Sequence, residues 1–195
     1  MDSQDFAPLV ADRVRLRPLS SSDASDHARW RNDPEVAYWA TAADPNFGPV
    51  AEAAVERWFL EKLPGLDPRA AGVLAVDLLD GRHIGMVDYR DLDTVVRSAT
   101  VGITIGEKDL WGAGYGTEAL SLLIEHLFSR LNLRRLQLDT WSGNERAIRA
   151  FRRLGFEEEG RLRDAVHGPG GYYDSVIMGL LRRDWRSRER DGSPS

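Results

Sequence analysis

Cysteine is absent from this 195-residue chain, which excludes disulfides, thiolate metal sites and any cysteine nucleophile or cysteine-linked acyl-enzyme. Lysine is nearly absent: Lys62 and Lys108 are the two examples, and arginine carries the rest of the positive charge. The formal net charge of -5 disfavours nonspecific nucleic-acid binding, which needs an excess of basic residues along the phosphate path, and suits a cationic substrate. No apolar run approaches the roughly 18 residues of a membrane span, so the chain reads as soluble with no membrane partner. Met1 to Pro8 lacks the basic start and apolar core of a secretory signal, which makes a cytoplasmic location the expectation. His27, His83, His126 and His167 show no paired metal spacing, and neither H-E-x-x-H nor G-x-S-x-G occurs. Metal and serine hydrolases are therefore set aside, and no metal is expected.

What is present reads as one domain over residues 1–185 with a disordered, charged tail over 186–195. Arg13 to Leu19 alternates apolar and basic residues, as a half-buried edge strand does. Helices are expected from Ser22 to about Trp30, from Pro34 to Trp39, and after the Asp44 to Pro49 loop up to Pro64-Gly65. Apolar runs at Gly72 to Leu79 and His83 to Tyr89 flank Asp80-Gly81, which signals a tight two-residue hairpin, and Ala99 to Ile105 alternates as a third strand. A helix from Thr117 to about Arg130 carries the stripe Leu120, Leu123, Ile124, Leu127 and Leu131, and Leu136 and Leu138 mark the next strand. Strand, helix and strand make a βαβ crossover and hence a parallel pair. Asn144 caps a further helix that Gly155 closes, and a final hairpin turns around His167 to Gly171. The fold class is thus α/β: a mixed, mostly antiparallel sheet of about seven strands flanked by helices.

The densest signal is Gly112, Gly114 and Gly116 between a strand and an amphipathic helix. Glycines let main-chain N–H groups converge on a ligand, and the helix N-terminus favours an anion such as a pyrophosphate. Tight packing alone would explain the same glycines. The spacing matches neither G-x-x-x-x-G-K-[ST] nor G-x-G-x-x-G. Taken together, Val101-Gly-Ile-Thr-Ile-Gly106, Trp111-Gly-Ala-Gly-Tyr-Gly-Thr-Glu-Ala119, Asn144-Glu-Arg-Ala-Ile148 and Leu154-Gly-Phe-Glu-Glu-Glu-Gly-Arg161 resemble the GNAT acetyltransferase superfamily. Within it, the chain is most similar to the RimJ/RimL-type ribosomal-protein N-terminal acetyltransferases and the related polyamine acetyltransferases, from about Arg13 to about Trp185.

That resemblance implies an acetyl-CoA-dependent N-acetyltransferase acting on a primary amine of a protein N-terminus, a polyamine or a small molecule, by direct attack in a ternary complex. It implies that the strand Val101 to Ile105 splays from the strand Leu136 to Thr140 to admit pantetheine, with Ile103, Thr104 and Ile105 along it, that Gly112, Ala113, Gly114, Tyr115 and Gly116 hold the pyrophosphate through main-chain N–H groups, and that Trp111 and Thr117 belong to the same cofactor site. Asn144 would contact the pantetheine arm, and a plain helix cap is its other reading. Phe151 stands where many members carry a Tyr that protonates the departing thiolate, Ala147 where the RimL-type branch often has Ser, and Ala113 where the family often has a basic residue. A carboxylate or a water relay must take the amine's proton, and Glu107 and Asp139 are the candidates, with Asp88 and Asp174 behind them. Trp30, Tyr38, Trp39 and Trp58 fall where the family covers its acceptor pocket, and core packing is their other reading. Transfer of another acyl group such as succinyl, and a module that binds acyl-CoA without catalysis, stay open, as does a homodimer.

Overall fold

The computed structural model describes residues 9–42 and 49–185. The expectations for Met1 to Pro8, for most of the loop between Asp44 and Pro49, and for the tail after residue 185 lie outside the described residues. Among the described residues the strands and α-helices are, in chain order, β1 (Leu9–Val10), β2 (Val14–Pro18), α1 (Ala24–Asn32), α2 (Pro34–Thr41), α3 (Glu52–Glu61), β3 (Gly72–Leu78), β4 (His83–Asp93), β5 (Ser98–Ile105), α4 (Tyr115–Ser129), β6 (Arg135–Trp141), α5 (Glu145–Arg153), β7 (Glu157–Gly168) and β8 (Gly171–Leu181). The strands form one eight-stranded sheet in the order β1-β2-β3-β4-β5-β6-β8-β7, antiparallel throughout except at β5 and β6. The strand beyond the expected seven is β1, whose two residues pair Leu9 with Leu16 and are too short to show a period.

Helix ends follow local chemistry. Asp33 accepts from the main-chain N–H groups of Glu35 and Val36 to start α2, with Pro34 in the first turn. Gly155, at φ 96°, closes α5 as a left-handed residue. On α4 the buried stripe is Ala119, Leu120, Leu123, Ile124, Leu127 and Phe128. Leu131, expected to extend it, lies past the helix end and is 38 % exposed, and Leu133 is buried in the same core cluster. The β3 to β4 connection also departs from expectation. It runs through four residues, Leu79 to Arg82, with Gly81 at φ 97° and Leu78 N–H donating to Arg82 O at 2.8 Å. The register shifts by one residue at Val76/Asp77, so the strands close with Asp77 opposite His83 and leave a longer turn than Asp80-Gly81 alone.

Two hydrophobic clusters hold the layers. In one, α4 and α5 pack against Leu16, Ile84, Val87, Val101, Leu136 and Leu138. In the other, α1 and α3 pack Ala28, Val55 and Phe59 against Leu19 and Ala75. Beside that second cluster Arg17 bridges Asp23 and Asp77 at 2.8 and 2.7 Å, His83 Nδ1 lies 3.1 Å from Asp77, and His27 Nε2 lies 3.2 Å from His83 Nε2. A buried acid such as Asp77, 1 % exposed, needs that many partners.

The feature that positions the site is a fork. β5 pairs with β6 at Ser98/Arg135, Ala99/Leu136 and Thr100/Gln137 and no further. Yet β5 stays paired to β4 as far as Ile105/Gly85, and β6 to β8 as far as Trp141/Ser175. From Val101 onward the two strands therefore diverge, and the main-chain groups of β5 that face β6 have no strand partner.

Candidate active site

A cavity of about 840 Å³ fills the fork, with β5 on one wall, α5 on the other and the start of α4 at one end. Gly112 and Gly114 both adopt left-handed backbone, at φ 79° and 91°, and Gly114 is the N-cap of α4. The turn they make leads straight into a fifteen-residue helix, whose first N–H groups have no partner inside the helix. Gly116 serves differently: a Cβ there would meet Ile105 Cγ1 at 3.2 Å, so its bareness lets α4 sit close on β5. Trp111 is pinned by its indole N–H, which donates to Ile105 O at 2.8 Å. Ile103, Thr104, Ile105, Trp111, Gly112, Gly114, Gly116 and Thr117 line the cavity, whereas Ala113 and Tyr115 do not. The Ala113 carbonyl accepts from Arg13 Nη1 at 2.9 Å, and the Tyr115 ring lies 4.7 Å from the Arg13 guanidinium. Ala113 and Tyr115, expected in the cofactor site, thus engage Arg13 and do not line the cavity, which leaves main-chain N–H groups as what this part of the turn could offer a ligand.

On the α5 wall, Asn144 is buried and both ends of its amide are engaged: Oδ1 accepts from Ala147 N–H at 3.2 Å and Nδ2 donates to Trp39 O at 2.9 Å. It caps α5 and ties it to α2. Phe151 lines the cavity yet is 8 % exposed and packs edge-on to Phe156, so it offers no proton. Arg146, which the sequence reading did not single out, has its guanidinium 4.4 Å from the Trp111 ring and 5.1 Å from the Trp39 ring. It lines the cavity. Arg146 is half-buried, with Glu35 as the carboxylate whose charge reaches it, and a cation so placed in a cleft beside a glycine loop suits an anion.

A family model described as an acetyltransferase (GNAT) domain matches residues 13–157. The chain belongs to the GNAT acetyltransferase family. It is 36 % identical over 187 residues to the "Putative ribosomal N-acetyltransferase YdaF" of Bacillus subtilis, covering 94 % of this chain and all of that one. It is 31 % identical over 181 residues to the spermidine N(1)-acetyltransferase of Escherichia coli, covering 92 % of each. A Vibrio cholerae spermidine N-acetyltransferase, solved in complex with CoA and spermine, superposes with a TM-score of 0.77 at 21 % identity over 89 % of this chain and 98 % of that one. No helix among the described residues is long and apolar enough to cross a membrane.

Transfer to an amine releases a proton, and the carboxylates expected to take it are not equivalent in this structure. Glu107 does not line the cavity. Burial pushes its pKa up, but hydrogen bonds from Arg29 at 2.5 Å, Trp30 Nε1 at 2.8 Å and Arg82 at 2.7 Å outweigh that and hold it at about 2. This geometry replaces the expected base with an anchor that fastens α1 to the end of β5. Asp174 lies outside the cavity, accepting from Asp164 N–H while its own N–H donates to Ser142 Oγ. Asp139 lines the cavity, 53 % exposed and 3.5 Å from Arg90. Asp88 lines it too, on β4, and burial pushes its pKa up.

The aromatic set separates in the same way. Trp39 lines the cavity, whereas Trp30 is buried against His27 and His83, Tyr38 packs between Trp39 and Trp141, and Trp58 is 40 % exposed on α3 away from the cleft. Three of the four expected pocket residues are therefore packing or surface residues. Helical spacing could not distinguish them, because all four sit on short helices whose facing partners are remote in sequence.

Proposed function

We propose that this enzyme binds acetyl-CoA with its pantetheine arm in the fork and its diphosphate on the Gly112–Gly116 turn, and passes the acetyl group directly to a primary amine. The observation that carries this reading is the conjunction of an opened parallel strand pair with a left-handed glycine turn at the start of α4. Unpaired main-chain groups of β5 suit the amides of a pantetheine chain, and the α4 N-terminus suits a diphosphate. With no cysteine in the chain, attack by the amine itself on the thioester is the simplest course, and the tetrahedral intermediate forms in a ternary complex. The amine enters from the side lined by Trp39, Asp88 and Asp139, where two carboxylates favour a cationic acceptor. Relatives named for spermidine and for ribosomal protein support polyamines and protein N-termini as the first acceptors to try.

The test is thiol release from acetyl-CoA and, separately, from succinyl-CoA in the presence of spermidine, a peptide with a free N-terminus and an aminoglycoside. Amine-dependent release with acetyl-CoA is expected. Release with succinyl-CoA alone would assign a different acyl group, and none with either donor despite tight binding of coenzyme A would leave a binding module.

A further inference from the structure

β4 sets Asp88 directly opposite Gly102 of β5, two residues past Thr100, the last β5 residue paired to β6. A side chain on Gly102 would run into the Asp88 carboxylate, with the added Cβ 3.0 Å from Cγ. The glycine thus leaves the space in which the carboxylate lies across β5 toward the fork. Its Oδ2 accepts from Arg90 Nη1 at 3.0 Å, and Oδ1 has no hydrogen-bond partner among the described residues. Arg90 Nη2 in turn lies 3.5 Å from Asp139 on β6, so one guanidinium spans the two carboxylates across the opening.

We propose that Asp88 Oδ1 is the proton acceptor of the acyl transfer, held over the fork by the missing side chain of Gly102, with Arg90 and Asp139 as positioning residues. The inference rests on the acetyl-transfer reading. The neutral amine's lone pair forms the new bond to the thioester carbonyl carbon, and the carbonyl π pair moves to oxygen. The nitrogen, now cationic and bonded to the electron-poor carbon, is far more acidic than a free ammonium and gives its proton to Oδ1. Collapse of the oxyanion breaks the C–S bond; the thiolate leaves with the electron pair and is protonated by solvent, to which Asp88 returns its own proton. Amine and thioester become amide and thiol. The half-buried site, with the Asp88 side chain 23 % exposed, raises the basicity of the carboxylate, which favours the transfer. The charged groups that share the cavity with it are Arg90 on β4, Asp139 on β6, His167 on β7, and Arg146 and Arg153 on the α5 wall, while Val73 and Gly102 flank it from β3 and β5 and do not ionise.

The experiment measures kcat and kcat/KM against pH for an amine that the wild-type enzyme accepts, together with calorimetric binding of acetyl-CoA. Asp88→Asn is expected to lower kcat by about 100-fold or more and to leave the acetyl-CoA Kd within about twofold. At acid pH, log(kcat/KM) for the wild type should rise with a slope of two, one proton from the amine and one from Asp88, and the variant's slope should fall to one. Asp88→Glu should restore the slope of two, which a structural role would not do. Gly102→Ala, which displaces the carboxylate without removing it, should lower kcat by about tenfold with donor binding intact, and it supplies the test should Asp88→Asn fold poorly. An active wild type whose Asp88→Asn variant keeps its kcat within about threefold, or keeps the slope of two, overturns the inference and leaves acetyl transfer standing. A wild type inert toward every amine brings down both.

Discussion

Gly112 has open space where a Cβ would stand and faces the cavity, whereas the Cβ position of Gly116 is filled by Ile105 and Ile103. The two should therefore fail differently. Gly112→Ala should cost about 1–2 kcal/mol in urea unfolding, the strain of a left-handed non-glycine residue, and should weaken acetyl-CoA in a calorimetric titration because its methyl enters the ligand path. Gly116→Val should cost about 1–3 kcal/mol by wedging α4 from β5, whatever it does to the ligand. If both lose binding and stability in proportion, the turn is merely structural. The glycine spacing was legible in the sequence, but which glycine answers to backbone conformation and which to packing was not, because Ile105 approaches only once the sheet has formed. Arg146 was illegible for the same reason: its neighbours Trp39 and Trp111 come from remote parts of the chain. Arg146→Gln should raise the Kd for coenzyme A about tenfold or more, the size of one charge-assisted hydrogen bond, and an unchanged Kd would show that the cation serves the acceptor side or neither.

Periodicity located the helices and most strands, since amphipathic stripes on α4 and α5 and alternation on β5 are properties of contiguous residues. It missed what depends on distant partners: the short pairing of β1, the register shift that lengthens the β3 to β4 turn, and the fixing of Glu107 by Arg29, Trp30 and Arg82. The same remoteness built the anchor of α1. There His27 is held at about 4, below its ordinary 6.5, by burial first and then by repulsion from His83, with Asp23 and Asp26 opposing. As pH falls below 6.5 the unfolded chain takes up a proton that the folded chain refuses until about 4, so stability declines across that window and this group adds nothing further below it. The loss is on the order of 3 kcal/mol. His27→Gln should flatten the pH dependence of urea unfolding between 6.5 and 4. Glu107 and Asp23, both held at about 2, act later: their contribution is complete above ordinary carboxylate values of 4.5 and 3.8 and is lost as pH falls toward 2. A stability curve unchanged by His27→Gln would contradict the burial of a neutral imidazole there.

Across the whole molecule, one sheet carries a core on each side and is interrupted where two strands part. The sequence order of strand, glycine turn, helix, strand and capped helix was enough to foresee that architecture, because a βαβ crossover fixes which strands lie side by side. It was not enough to foresee which carboxylate faces the opening, since that depends on cross-strand register. The fork and the glycine turn are proposed to form one acyl-CoA site. Thermal unfolding of the full chain with acetyl-CoA, ATP and NADH, each in large excess, tests it most directly. At about 100 times its Kd a ligand specific to the native state adds about 2.7 kcal/mol, or roughly 5–10 °C in Tm for a chain of this size. Acetyl-CoA should give that rise and the two other nucleotides should not; equal shifts from all three, or none from acetyl-CoA, would show that the fork is no acyl-CoA site.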